Sequence, residues 1–191
     1  MRFAADQALV STAALADDRL YLGSALGRLV AIDPLQKEYP LERKVRYWQA
    51  QAWAWGLRDS LPNPRGLVWI RSFGRRAAIG APAVVGDTVY ITLSVGPKGD
   101  HGELRALDTA TGGKERTWTY HADAFVHSSP TVVGRWIYFG SKDGKLHAVD
   151  RETGEALWVL QAAKGDISTR PVVGSDTLFV ASRDGTLYAI R

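Results

Sequence analysis

The chain contains no cysteine among its 191 residues. Disulfides, thiolate metal centres and thiol nucleophiles are therefore excluded. Methionine and asparagine occur once each, as Met1 and Asn63, and arginine far outnumbers lysine. Few thermolabile residues and many arginines fit a thermophilic source, and a GC-rich genome gives the same bias. No run approaches the roughly 18 apolar residues of a membrane-spanning helix. The opening Met1-Arg2-Phe3-Ala4-Ala5-Asp6 lacks the apolar core of a secretory signal. That fits a cytoplasmic protein or a trimmed form, and the compartment stays open. A net charge of +4 is too mild for a nucleic-acid-binding signature, so no nucleic-acid partner is expected. Hydrophobic residues make up 46% of the chain, enough for one domain with a real core.

What is present is a repeat. The clearest copy runs Ser129-Pro130-Thr131-Val132-Val133-Gly134, Trp136-Ile137-Tyr138-Phe139-Gly140-Ser141, Lys142-Asp143-Gly144-Lys145-Leu146-His147-Ala148-Val149-Asp150 and Thr153-Gly154-Glu155-Ala156-Leu157-Trp158. The frame returns at Pro171-Val172-Val173-Gly174 and Asp184-Gly185-Thr186-Leu187-Tyr188-Ala189-Ile190. Earlier copies stand at Pro82-Ala83-Val84-Val85-Gly86-Asp87 with Leu104-Arg105-Ala106-Leu107-Asp108, and at Leu20-Tyr21-Leu22-Gly23 with Leu29-Val30-Ala31-Ile32-Asp33. Pro130 to Pro171 and Gly144 to Gly185 are both 41 residues. Trp69 precedes Pro82 by 13, as Trp158 precedes Pro171. Trp69, Trp118 and Trp158 therefore share one frame position, read as packing between repeats.

Each copy reads as strands and turns. Short β-branched and aromatic runs are bounded by Gly and Asp. Asp143-Gly144 and Asp184-Gly185 supply the positive φ of tight hairpins. Asp33, Asp108 and Asp150 read as turn carboxylates that accept backbone N–H bonds. Four-stranded antiparallel meanders repeated at this period predict an all-β propeller with four blades in the chain. The repeats fall at about 9–73, 80–120, 128–161 and 169–191, with an N-terminal strand at 1–5.

The pattern Pro-x-Val…Tyr/Phe-x-x-Ser-x-Asp-Gly-x-Leu-x-Ala-Ile/Val-Asp-x-x-Thr-Gly-x-x-x-Trp resembles the PQQ-like, or quinoprotein alcohol dehydrogenase-like, repeat family. The resemblance covers most of the chain outside residues 35–64. It implies a propeller fold for a chain closest in character to non-catalytic members such as the outer-membrane β-barrel assembly lipoprotein. Other members are quinoprotein dehydrogenases and sensor domains of some bacterial kinases. The dehydrogenases hold PQQ over calcium with a Glu, an Asn and a catalytic Asp, often above a vicinal cysteine pair. This sequence has no cysteine, and its one asparagine, Asn63, lies in an insert. No cofactor is expected.

The N-terminal Phe3-Ala4-Ala5 aligns with Gln161-Ala162-Ala163, so the chain starts where its last blade stops. Such an offset lets a first strand complete a last blade. Relatives implied by the resemblance use eight blades, so the preferred expectation is a homodimeric ring or another propeller-completing chain. A fragment of a longer protein and a closed four-bladed monomer are the alternatives.

Candidate functional residues lie outside the blade frame. His121, Asp123 and His127 sit in one inter-blade loop and could form an acid–base or metal group. A solvated loop is the competing reading. His101 falls in an enlarged loop from Ser94 to Glu103. Arg75, Arg76 and Arg170 occupy comparable inter-blade positions and could make a basic mouth to the channel. Ser141, Asp143, Ser182 and Asp184 lie on different blades and do not converge on a calcium ion. Residues 35–64 interrupt the first blade. There Val45, Trp48, Ala52 and Trp55 recur at helical spacing, with Trp53 alongside and Arg43, Lys44 and Arg46 interleaved. This predicts a short amphipathic helix that packs over the rim, docks a protein partner or meets a membrane surface. The reading with most support is a non-catalytic binding or scaffolding propeller. The alternatives are a fragment or degenerate relative of a PQQ-dependent dehydrogenase, and a small-molecule sensor.

Overall fold

The computed structural model describes residues 11–24, 27–36, 41–57, 59, 66–74, 78–95, 101–113 and 118–191. They form sixteen strands in four antiparallel sheets, with one helix inserted in the first. Blade 1 is β1 (Ala14–Ala16), β2 (Arg19–Gly23), β3 (Arg28–Ile32) and β4 (Leu67–Ser72). Blade 2 contains β5 (Ala78–Ile79), β6 (Ala83–Val85), β7 (Thr88–Val95), β8 (His101–Asp108) and β9 (Thr119–Ala122). Blade 3 is β10 (Thr131–Val133), β11 (Trp136–Gly140), β12 (Lys145–Asp150) and β13 (Ala156–Gln161). Blade 4 is β14 (Val172–Val173), β15 (Leu178–Ala181) and β16 (Leu187–Ile190). The first strands neighbour one another in turn: β1 beside β6, β6 beside β10, and β10 beside β14. The fold is the expected propeller of meander blades.

Local sequence sets the turns. Between β1 and β2, Asp17 and Asp18 both take positive φ, 47° and 56°. Short polar side chains tolerate that left-handed pair, whose twist matches the flanking strands. Asp108 and Asp150 behave as read: Asp108 Oδ1 accepts from the Ala110 and Thr111 amides, and Asp150 Oδ1 from those of Glu152 and Thr153. Asp33 Oδ1 likewise accepts from the Leu35 amide.

The core lies in the seams between blades. Tyr21, Leu29 and Ala31 of blade 1 pack against Val89, Ile91, Leu93 and Leu107 of blade 2. Leu104 and Ala106 of blade 2 meet Ile137, Phe139 and Val149 of blade 3. Leu146 of blade 3 meets Leu178 and Val180 of blade 4. An aliphatic side chain from each linking segment seats in a notch at the edge of the blade before it. Ile79 sits by Gly23, Val126 by Gly102 and Ile167 by Gly140. At Gly140 a Cβ would come within 2.1 Å of the Ile167 Cγ2, so the notch exists because a side chain is missing.

Three expectations are corrected. His101 and Ser94 are strand residues, with Ser94 paired to Gly102 and Val95 to His101. Polar residues extend β7 this far because the next blade's loop satisfies them. Thr92 Oγ1 donates to the Ser128 carbonyl (2.6 Å) and Ser94 Oγ to the Val126 carbonyl (2.8 Å). Blade 2 also gains β5 as a fifth strand, pairing with the far end of β7. The helix α1 (Glu42–Ala54) forms as the spacing predicts, but its aromatic stripe does not pack over the rim. Trp48 and Trp55 are 60% and 62% exposed. The helix buries the Glu42 carboxylate instead, paired with Arg46 one turn on. The Gly66 amide donates to Gln36 Oε1, pinning the base of the insert. The expected strand at 1–5 and Pro62-Asn63-Pro64 lie outside the described residues.

Replacing Gly140 by alanine should cost about 1–3 kcal/mol by overpacking the notch. Trimming the neighbour with Ile167→Ala in that background should cost less than it does alone. A double-mutant cycle by urea denaturation checks both.

Candidate functional site

The structure distributes the described titratable residues singled out from sequence. His121 lies directly across the β8–β9 ladder from Glu103, with its Nδ1 3.7 Å from Glu103 Oε1. Glu103 is buried and holds Arg105 at 2.6 Å. Asp123 is 97% exposed and faces Lys145 Nζ at 4.0 Å. His127 reaches across to the next inter-blade loop, where its Nδ1 is 3.2 Å from Asp166 Oδ2. Arg183 stands 3.6 Å from the same oxygen. The three residues of the expected acid–base group therefore have three different partners. Closeness in sequence does not give one shared site here, because β9 ends at Ala122, between His121 and Asp123, and His127 lies further along the link to the next blade. His101, at the start of β8, is exposed.

Arg75 and Arg76 lie outside the described residues. Arg170 borders a cavity of about 260 Å³ with Thr12 to Leu15, Ala81 to Val85 and Val132. Its Nε donates to Thr131 Oγ1 at 3.3 Å. All four blades thus approach this opening, whose lining is small, aliphatic and hydroxylic apart from one guanidinium.

Trp69 and Trp118 lie in the seams between consecutive blades. Trp69 Nε1 donates to the Thr109 carbonyl (2.8 Å), and its ring lies against Gly112 in the next blade. Trp118 Nε1 donates to the Arg151 carbonyl (3.1 Å), with its ring against Gly154. Gly144 takes φ 79° at its hairpin and lies against the Ala163 carbonyl, while Gly185 takes φ 83° with open space around it.

One polar network centres on His147, which the repeat pattern places inside a strand. His147 is buried and stacks on Phe139, with planes 3° apart at 4.7 Å. Its Nδ1 lies 3.0 Å from the Tyr120 hydroxyl, and its Nε2 3.0 Å from Ser141 Oγ. Ser141 gives its proton to Asp143 Oδ1. It therefore accepts from Nε2–H, which leaves Nδ1 to accept from Tyr120. Burial lowers the His147 pKa to about 4. The ring is a neutral link between blades 2 and 3.

Four antiparallel blades, tryptophans docked on the next blade's turn and aliphatic side chains in glycine notches define a β-propeller of PQQ-like repeats. A family model described as outer membrane protein assembly factor BamB matches residues 60–191. The chain belongs to that family. It is 28% identical over 124 residues to the outer membrane protein assembly factor BamB of Bordetella pertussis, covering 64% of this chain and 30% of that protein. It is 27% identical over 142 residues to the quinohemoprotein alcohol dehydrogenase of Comamonas testosteroni, covering 66% of this chain and 19% of the enzyme. The chain thus spans under a third of either relative. Among solved structures, BamB from Moraxella catarrhalis superposes with a TM-score of 0.66 at 21% identity, over 97% of this chain and 47% of that one. The computationally designed Ika4 protein superposes at 0.68 and 13% identity, over 98% of this chain and 92% of its own. These likenesses concern the fold.

A quinone held over calcium does not fit the described residues. The cavity between the first strands has no carboxylate in its lining. A hard divalent cation wants six or more oxygens converging on it. No group of three or more acidic, histidine or cysteine residues in metal-binding arrangement occurs among the described residues.

His147 makes stability depend on pH. Its folded pKa, about 4, lies below the usual 6.5, so the unfolded chain binds the extra proton first. The contribution is complete above about pH 6.5 and is lost as pH falls toward 4, by roughly 3 kcal/mol. Urea midpoints should drop across that window in the native chain and drop less in His147→Phe. Loss of the Asp143, Asp150 and Asp184 contributions, whose pKa values are lowered, belongs to still lower pH.

Proposed function

We propose that this chain is a non-catalytic scaffold that recognises another protein. The observation that carries the reading is the aromatic face of α1. Tyr47 packs edge-on against Trp48 at 5.6 Å, Trp48 lies 6.5 Å from Trp55, and all three are exposed. Trp53 adds a further exposed indole. Tryptophan and tyrosine supply large rigid contact area and dominate interface energetics. A rigid propeller that carries one long insert is the arrangement in which recognition resides in the insert. The BamB family membership supports this reading. The separate partners of His121, Asp123 and His127, and the poor fit to a quinone centre, argue against catalysis.

Two measurements test it. Adding PQQ and Ca²⁺ to the full chain should leave the Tm unchanged and give no dye-coupled alcohol oxidation. Turnover would overturn the non-catalytic reading. A photo-crosslinking residue at position 48, introduced in the producing cells, should trap a discrete polypeptide that the same residue at the exposed position 155 does not. Identical patterns at both positions would remove the recognition role of α1.

A further inference from the structure

Two seams, between blades 1 and 2 and between blades 2 and 3, are built alike and differ at one point. In the first, Tyr21 lies 6.0 Å from Trp69, whose indole donates to the Thr109 carbonyl of the next blade. In the second, Tyr90 lies 6.0 Å from Trp118, whose indole donates to the Arg151 carbonyl. The Thr109 carbonyl has another donor. Arg19 Nη1 reaches it from the β1–β2 hairpin at 3.3 Å. Arg19 pairs with Ala16 and stands two residues before Tyr21. The same place in blade 2, paired with Val85 and two residues before Tyr90, holds Thr88. A short hydroxyl side chain does not span what an arginine spans. Among the described residues the Arg151 carbonyl accordingly receives only the Trp118 indole at 3.1 Å and the Tyr90 hydroxyl at a long 3.4 Å.

The place that Arg19 takes in the first seam is a groove in the second. A cavity of about 640 Å³ opens there between the β6–β7 hairpin and the turn at Arg151, with Tyr90 and Trp118 in its lining. That volume is in the range of small-ligand sites. Asp87 and Glu152 bring two carboxylates to the lining, against the one guanidinium of Arg151. Glu152 is particular to this seam. Ala110 holds its place in the turn of blade 2, since Asp108 Oδ1 accepts from the Ala110 amide as Asp150 Oδ1 accepts from that of Glu152. The groove thus offers a carbonyl with spare capacity, two aromatic rings and an excess of negative charge. A guanidinium uses all three: an acceptor in its plane, a π face beneath it and a carboxylate.

We propose that the groove between blades 2 and 3 is a binding site for an arginine side chain of a partner polypeptide. Its guanidinium donates to the Arg151 carbonyl as that of Arg19 donates to the Thr109 carbonyl. Asp87 and Glu152 neutralise it, and its stem lies along Tyr90 and Trp118. Arg151 is the one lining residue whose charge opposes the ligand. The groove is larger than one guanidinium, so the residues that flank the arginine enter with it, which favours a polypeptide over a free guanidinium compound. Lysine fits less well, because its ammonium is a strongly hydrated point charge with no planar face to stack. The proposal rests on the protein-recognition reading but uses a surface other than α1.

The probe is the blocked tripeptide acetyl-Gly-Arg-Gly-amide, titrated into the full chain by calorimetry while NMR follows the Trp118 indole N–H. Binding should saturate at one equivalent and shift that resonance. The citrulline tripeptide keeps the shape and loses the charge, and it should bind at least about tenfold more weakly. Thr88→Arg gives blade 2 the side chain that blade 1 already has, so it should abolish binding and raise the Tm. Arg19→Thr should open the first seam, and the same peptide should then titrate a second, weaker equivalent. Glu152→Gln should weaken binding. Arg151→Ala keeps the carbonyl and removes the opposing charge, so it should tighten binding. No saturation up to about 10 mM, equal affinity for the citrulline peptide, or binding that survives Thr88→Arg in a folded chain would overturn the proposal. Should Thr88→Arg not fold, Asp87→Asn combined with Glu152→Gln decides, since both residues are exposed and unchanged affinity in that variant removes the site. Peptide failure with position-48 crosslinking intact sinks this site alone, whereas failure of both sinks the recognition reading.

Discussion

The structure depends on the seam between consecutive blades. A single meander exposes two apolar faces, and neither is buried until another blade lies against it. Two devices make that contact specific. The indole of one blade donates to a turn carbonyl of the next, and an aliphatic side chain of the linking segment occupies a notch left by a glycine. Both use features that survive extensive surface change, namely a backbone carbonyl and a missing Cβ. The fold likewise accompanies low identity, with TM-scores of 0.68 and 0.66 at 13% and 21%. By itself it says little about activity. Chains similar in sequence to this one are named both as dehydrogenases and as assembly factors.

The blade count and strand order were legible because their determinants are local. Asp-Gly hairpins, Asp-x-x-Thr-Gly turns and the Leu-x-Ala-x strand recur at fixed spacing and each specifies its own geometry. Helix α1 was legible for the same reason, since residues four and seven apart share a face. What failed was everything that depends on a distant partner. Ser94 looks like the start of a loop until the carbonyl of Val126, more than thirty residues away, is known to accept from it. His121, Asp123 and His127 look like one group until Glu103, Lys145 and Asp166 divide them. His147 looks like a spacer between hydrophobic residues until Tyr120 is placed beside its ring. The outward direction of Trp48 and Trp55 was equally hidden, because helical periodicity gives a stripe and not the side it faces.

The polar seam contacts differ in kind from the apolar ones. Dispersion and burial tolerate small slips between blades, whereas the bond from Thr92 to the Ser128 carbonyl and the neutral His147 bridge tolerate almost none. The buried hydroxyls therefore fix the angle between blades, while the aliphatic clusters supply most of the attraction. That division keeps a chain of similar repeats from sliding into alternative registers.

The Gln36–Gly66 hydrogen bond has a consequence for how such a protein changes over time. It closes the insert at its base, so the blade receives the same two chain ends whatever lies between them. Closing a longer loop costs free energy only as the logarithm of its length. The sequence between those ends can therefore grow, shrink or be exchanged with little penalty to the propeller. Blade 1 therefore holds its own strands in place independently of the length of the segment it carries between Gln36 and Gly66.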